Sequence, residues 1–163
     1  MDLKKLDEYF TEMDIEWRIG RSGFKKDGEP WATALAYVTN RAIQNRLDEV
    51  CGKDGWKNEF KEWHDESQLC GISIKINDEW ITKWDGADKT NFEATKGGLS
   101  DSMKRAAYQW GIGRYLYQLD EMIVKCSNIK VPAWNFAKVK KDGKYVWMYW
   151  QTPEMPKWAL PKE

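Results

Sequence analysis

The chain has 163 residues, of which 42% are hydrophobic, enough for one compact domain with its own core. Its 26 basic and 26 acidic residues cancel, which excludes a wholly basic nucleic-acid-binding surface and leaves room only for a local basic stripe. Cys51, Cys70 and Cys126 lie far apart with no CxxC, and His64 is the only histidine, so a structural zinc site of about four ligands is excluded and reduced thiols are expected.

Leu3, Leu6, Phe10 and Met13 recur at helical spacing and predict a short N-terminal helix over residues 1–14. Ile15 to Ile19 alternates and reads as a strand, Arg21 to Glu29 as an exposed basic turn, and Trp31 to Tyr37 as a second strand. Thr39 caps a helix from Asn40 to about Cys51, with Ala42, Ile43, Leu47 and Val50 inward and Arg41, Asn45, Asp48 and Glu49 outward. Gly52 and the turn Lys53-Asp54-Gly55 end it. An antiparallel meander follows: Trp56 to Trp63, Leu69 to Ile76, and, after the turn at Asn77-Asp78, Glu79 to Trp84. Trp56, Asn58 and Phe60 share one face of the first of these strands, with Lys57, Glu59 and Lys61 on the other. Cys70, Ile72, Ile74 and Ile76 align on the second strand, and Trp80, Thr82 and Trp84 on the third.

Thr90-Asn91-Phe92-Glu93 has the capping-box form and opens a long helix, striped by Phe92, Leu99, Met103, Ala106 and Trp110. Gly97-Gly98 is a place for a bend, and Gly111 and Gly113 break the helix before Arg114 to Leu119. Ala133 to Lys140 and Lys144 to Trp150 form a hairpin about Asp142-Gly143, and residues 151–163 form an extended, proline-marked tail that carries Trp158. The fold class is α+β: a three-stranded antiparallel meander packed on a long helix, a β-β-β-α core, with an extra N-terminal helix and strands and a C-terminal hairpin, all in a single domain. The longest apolar run, Trp31 to Val38, falls far short of the roughly 20 residues that span a bilayer, and no signal peptide is apparent, so a cytoplasmic protein without membrane contact is expected.

The 11 tryptophans exceed ordinary usage; most are expected in the core, and some on a surface meant for bases or a neighbouring subunit. The chemistry concentrates in Ser102 to Gly111. Lys104 and Arg105 are adjacent, so on a helix they cannot both point at the core, and Tyr108 and Gln109 lie one turn on. Cations that track a backbone beside a ring that accepts any base are what a single-strand binder needs. Spacing alone favours the plainer reading, an amphipathic helix in which Arg105 pairs with Asp101.

The run Asp101 to Gly111, together with Gly52-Lys53-Asp54-Gly55-Trp56 after a helix, resembles the Rad-fifty-two superfamily of annealing proteins. Ile15-Glu16-Trp17-Arg18 and the Trp158 to Pro161 tail give it the look of the phage Sak-type members. The likeness covers roughly Ile15 to Leu119. It implies an oligomeric ring or filament that holds single-stranded DNA in a groove and anneals complementary strands in recombination and repair, with no nucleotide or other cofactor and no catalytic residues. It implies a bacterial cytoplasm, or that of a bacterial host; the tail with Trp158 is expected to dock either on the domain or on a host single-strand-binding protein. Lys104 and Arg105 stand where basic residues of the long helix line the groove. Tyr108 replaces a further basic residue, whose contact is either lost or supplied by Arg114, and Arg41 is the nearest match to an arginine early in the first long helix. Lys96 and Lys53 complete the DNA-binding set.

No phosphate-binding G-x-x-x-x-G-K-[ST] loop occurs, and annealing needs none, because duplex stacking yields about 1.4 kcal/mol per step. Two alternatives stand beside this reading. Glu59-Phe60-Lys61, with Asp48 or Asp54 upstream, mimics the metal site of a nuclease, against the plain reading of alternating charges on a solvated strand. A non-catalytic scaffold whose aromatic surface binds only protein is the other.

Overall fold

The computed structural model describes residues 1–88 and 94–163, with only the backbone of 94–97. The expected capping box at Thr90 to Glu93, and Phe92 of the helical stripe, lie outside the described residues. In chain order the strands are β1 (Ile15–Phe24), β2 (Pro30–Val38), β3 (Trp56–Glu62), β4 (Gln68–Ile76), β5 (Glu79–Ala87), β6 (Met122–Val124), β7 (Cys126–Ser127), β8 (Asn135–Lys141) and β9 (Lys144–Trp150). The helices are α1 (Asn40–Cys51) and α2 (Ala94–Gln109). The chain divides into two compact units: Met1–Asp14, Val38–Tyr115 and Pro161–Glu163 form the first, and Ile15–Tyr37 with Leu116–Leu160 the second.

The first unit is the expected β-β-β-α core. β3, β4 and β5 form an antiparallel sheet with β4 in the middle. The register pairs Asn58 with Ile72 and Ile72 with Lys83, and Phe60 with Cys70 and Cys70 with Asp85. Cys70, Ile72 and Ile74 are fully buried, as are Ala106 and Ala107 of α2, which packs on β4 and β5. Burial of that kind, about 25 cal/mol per Å² of apolar surface, is what holds helix and sheet together. The Thr39 hydroxyl accepts the Ala42 N–H at 3.2 Å and starts α1. Gly52, at φ 79°, ends α1, and its N–H returns to the Asp48 carbonyl at 2.9 Å. Trp56 then donates its indole N–H to the Asp48 carboxylate at 2.7 Å, which ties the start of β3 to the last turn of α1.

The N-terminal helix expected over residues 1–14 is not formed; two short 3-10 turns, Leu3–Asp7 and Glu12–Asp14, stand in its place. Tertiary partners take the backbone groups a helix would have paired. The Arg46 guanidinium donates to the carbonyls of Lys5, Leu6 and Glu8 at 3.2, 3.3 and 2.7 Å, and lies 4.0 Å over the Phe10 ring. The Phe10 N–H donates to the Tyr115 hydroxyl at 2.9 Å. Leu6 and Phe10 are buried as expected, but Met13 is exposed.

The second unit is all-β. Its sheets run β1-β2-β6 and β7-β9-β8, and Ala32, Ala34, Val124, Val139, Met148 and Trp150 form the core between them. β1 reaches Phe24, five residues beyond the expected Ile19, because Arg21 and Phe24 both find strand partners. The Arg21 N–H donates to the Thr33 hydroxyl at 3.0 Å, its guanidinium pairs with Glu121 at 2.8 Å, and Phe24 packs on the core. The β8–β9 hairpin turns on Asp142 and Gly143, at φ 51° and 79°, the pair of left-handed residues that a two-residue hairpin of this hand requires. In the tail, Met155 and Ala159 are buried and Trp158 is exposed, so the segment is packed rather than free.

Candidate nucleic-acid interface

The β3–β4–β5 sheet buries one face under α2 and leaves the other exposed. The register gives that outer face Lys57, Glu59 and Lys61 from β3, Gly71, Ser73 and Lys75 from β4, and Trp80, Thr82 and Trp84 from β5. The Lys57 ammonium stands 4.7 Å from the Trp80 ring centroid, and that of Lys61 4.7 Å from the Trp84 ring. Between the two tryptophans a 2.7 Å hydrogen bond joins Ser73 and Thr82. Trp80 and Trp84 remain 42% and 36% exposed. Gly71 lets the Trp84 indole lie against the sheet: a Cβ there would come within 2.8 Å of three ring atoms. The face thus carries two lysine-on-tryptophan pairs, with Lys75 opposite Trp80. Each such exposed pair is worth about 0.5–1 kcal/mol, enough to orient the side chains and too little to withhold either from a ligand.

At the C-terminal end of α2 lies a second group of cations. Arg105 pairs with Asp85 of β5 at 3.1 Å, and Gln109 donates to the other Asp85 oxygen at 2.9 Å. Partial burial works against ionisation of Asp85, but hydrogen bonds from Gln109, the Gly86 N–H and Arg105 outweigh it and hold the carboxyl below its ordinary range. Lys83 lies 4.6 Å from the Trp110 ring and donates to the Gln109 carbonyl at 3.2 Å. Arg114 donates to the Tyr108 carbonyl at 2.8 and 2.6 Å and to the Gln109 carbonyl at 3.0 Å. Gly111 and Gly113, at φ 93° and 74°, turn the chain so that Arg114 folds back on the helix end. Lys83 and Arg114 thereby answer the carbonyls and negative dipole end of α2.

The structure separates the residues expected to bind DNA. The adjacent pair splits, with Arg105 outward and Lys104 only 4% exposed. Tyr108 is 9% exposed and belongs to the core. Arg114 is exposed, but its donors serve the end of α2. Arg41 is exposed on the first turn of α1 and Lys53 just past its end, about 15 Å or more apart at about 1.5 Å of rise per residue, so one phosphate cannot serve both. The side chain of Lys96 lies outside the described residues. Lys57, Lys61, Trp80 and Trp84 were not in the expected set, although their alternation along β3 and β5 is plain in the sequence.

The nuclease arrangement built on Asp48 is not assembled. Asp48 is bound to Trp56, on the α2 side of the sheet, whereas Glu59 and Lys61 face the other way. No three His, Cys, Asp or Glu side chains among the described residues gather closely enough to hold a metal ion. Burial pushes the Cys70 thiol up to about 12, which leaves it inert. No helix among the described residues is long and apolar enough to cross a membrane.

The first unit is thus a β-β-β-α core whose outer sheet face carries exposed lysine–tryptophan pairs. The chain belongs to the Rad52/22 family of double-strand break repair proteins, whose model matches residues 3–135. It is 31% identical over 160 residues to the single-stranded DNA-binding protein DdrA of Deinococcus radiodurans, covering 97% of this chain and 67% of that one. It is 32% identical over 160 residues to DdrA of Deinococcus deserti, covering 97% of this chain and 69% of that one. No solved structure matches the chain.

Proposed function

We propose that this protein binds single-stranded DNA and anneals complementary strands without a nucleotide or metal cofactor, as a self-associating, non-enzymatic component of recombination or repair. The observation that carries the reading is the outer sheet face, where Trp80 and Trp84 are exposed beneath Lys57 and Lys61. Lysines follow the phosphates of any sequence, and indoles stack on any base. Family membership and the DdrA relatives, named for single-stranded DNA binding, point the same way. Those relatives are bacterial; the likeness to phage proteins rests on Ile15 to Arg18 and Trp158 to Pro161 alone.

In this reading Lys57 and Lys61 are the phosphate contacts of the outer sheet face, and Arg105 on the α2 side, Arg41 and Lys53 are further contacts of the first unit. Lys104, buried, and Arg114, on the end of α2, support the helix that presents Arg105. The exposed Trp158, on a tail anchored by Met155 and Ala159, is the residue we assign to a host single-strand-binding protein. The test is annealing of complementary oligonucleotides in EDTA without ATP. Wild type should accelerate it, and Trp80→Ala/Trp84→Ala should lose most of the effect while remaining folded. A wild-type protein that retains no labelled single strand would refute the reading in favour of a protein-binding scaffold.

A further inference from the structure

In the second unit, the two faces of the β8–β9 hairpin differ sharply. One packs Val139, Met148 and Trp150 into the core. The register places Phe136, Lys138 and Lys140 of β8 opposite Tyr149, Trp147 and Tyr145 of β9 on the other. The Lys138 ammonium stands 5.6 Å from the Trp147 ring and that of Lys140 5.5 Å from the Tyr145 ring. Phe136 meets Trp147 edge-on at 5.3 Å. Phe136, Tyr145 and Trp147 are 67%, 65% and 51% exposed. No carboxylate comes from either strand, since neither β8 nor β9 contains Asp or Glu. Lys141 belongs to the opposite face and covers the Phe24 ring at 4.9 Å.

Lysine on an edge strand such as β8 is a known guard against sheet-to-sheet pairing. That role asks for charge alone and leaves the exposed rings unexplained. We infer that the outer face of the β8–β9 hairpin is a second platform for single-stranded nucleic acid, in which Trp147, Tyr145 and Phe136 stack on bases while Lys138 and Lys140 meet phosphates. The inference rests on the single-strand reading above and adds a site in the other unit of the chain.

Geometry argues for a single strand and against a duplex. Tyr145, Trp147 and Tyr149 project from alternate residues of one strand, so they repeat at about 6.8 Å, twice the antiparallel rise of about 3.4 Å per residue. Bases in a duplex repeat at about 3.4 Å along each strand and offer no exposed faces. Only a strand whose bases have come apart matches the longer repeat. The charges complement it as well, because two lysines with no acid between them favour a polyanion of any sequence.

The experiment is fluorescence anisotropy of labelled oligo(dT) with the full chain across a salt series. The variants are Tyr145→Ala/Trp147→Ala and, separately, Lys138→Gln/Lys140→Gln, compared with Trp80→Ala/Trp84→Ala of the first unit. The aromatic pair should weaken binding by at least about five-fold, the low end for one lost base stack. The lysine pair should flatten the log–log salt dependence by about 1.4, at about 0.7 per single-strand phosphate contact. The lysine variant removes only exposed side chains and keeps every ring, so it serves where the aromatic variant folds poorly. Hairpin variants that bind like wild type, with the same slope, overturn the second platform while the proposed function stands. Hairpin variants that keep DNA binding but lose self-association overturn it too, by making this face a contact between copies. Wild type that binds no oligo(dT) sinks both readings.

Discussion

Arg105 is the residue of the expected basic pair that faces outward, and Asp85 is a partner that competes for it. A phosphate must compete with that carboxylate. We predict that Asp85→Asn releases Arg105, strengthens single-strand binding at low salt and steepens the log–log salt slope by about 0.7. An unchanged slope would overturn the competition between Asp85 and phosphate for Arg105. The same substitution has a signature in stability. The Asp85 carboxyl titrates below its ordinary range in the folded protein, so its ionised form favours folding at pH values above the unfolded carboxylate, about 3.9, and that contribution is lost as pH falls through the lower folded value. Wild type should therefore lose more stability between neutral pH and the region below about pH 4 than Asp85→Asn does, measured by urea unfolding. Equal losses would mean that ionisation of Asp85 does not favour the folded state.

At the scale of elements, the meander face depends on cross-strand register more than on any one residue. Gly71 is where β4 makes room for the Trp84 indole of β5. We predict that Gly71→Ala drives the indole off the sheet and separates it from Lys61. Overpacking costs about 1–3 kcal/mol, and the exposed side of Trp84 allows a loss near the lower figure. Single-strand affinity should fall with no change in net charge, and the salt slope should stay as it is. A changed slope with unchanged affinity at low salt would contradict this. The elements themselves were legible in the sequence: the meander, its inward Cys70, Ile72 and Ile74, both main helices and the hairpin turn follow from periodicity and turn chemistry. The alternations Lys57/Glu59/Lys61 and Trp80/Thr82/Trp84 were legible as well. That they share one face was not, because register is a property of two strands and each strand's pattern describes only itself. Lys104 and Tyr108 were assigned to DNA by resemblance, yet both side chains are buried, so their chemistry does not predict their exposure. The N-terminal turns escaped for a similar reason. Arg46 and Tyr115, distant in sequence, supply the partners that replace helical hydrogen bonds.

For the whole molecule, charge and sheet edges bear on self-association. With 26 residues of each sign and an isoelectric point near 6.6, copies of the chain meet little net repulsion near neutral pH. β3 and β5 pair only with β4 among the described residues, so each presents an edge with backbone groups available to another strand. Phe60 and Trp63, on and just past the end of β3, are exposed beside one of those edges. If such an edge paired head to tail with another copy, repetition of that contact would generate a closed ring or an open filament. We predict that light scattering at micromolar concentration finds an oligomer, and that Phe60→Lys shifts it toward monomer by placing a charge on the β3 edge. Annealing should decline with the oligomer even where affinity for a short oligonucleotide persists. On the proposed reading a single subunit would hold one strand at each platform, whereas pairing long complements would require many platforms in series. A protein that is monomeric with and without DNA, yet anneals at the wild-type rate, would remove assembly from the mechanism and leave the lysine–tryptophan faces to act within one chain.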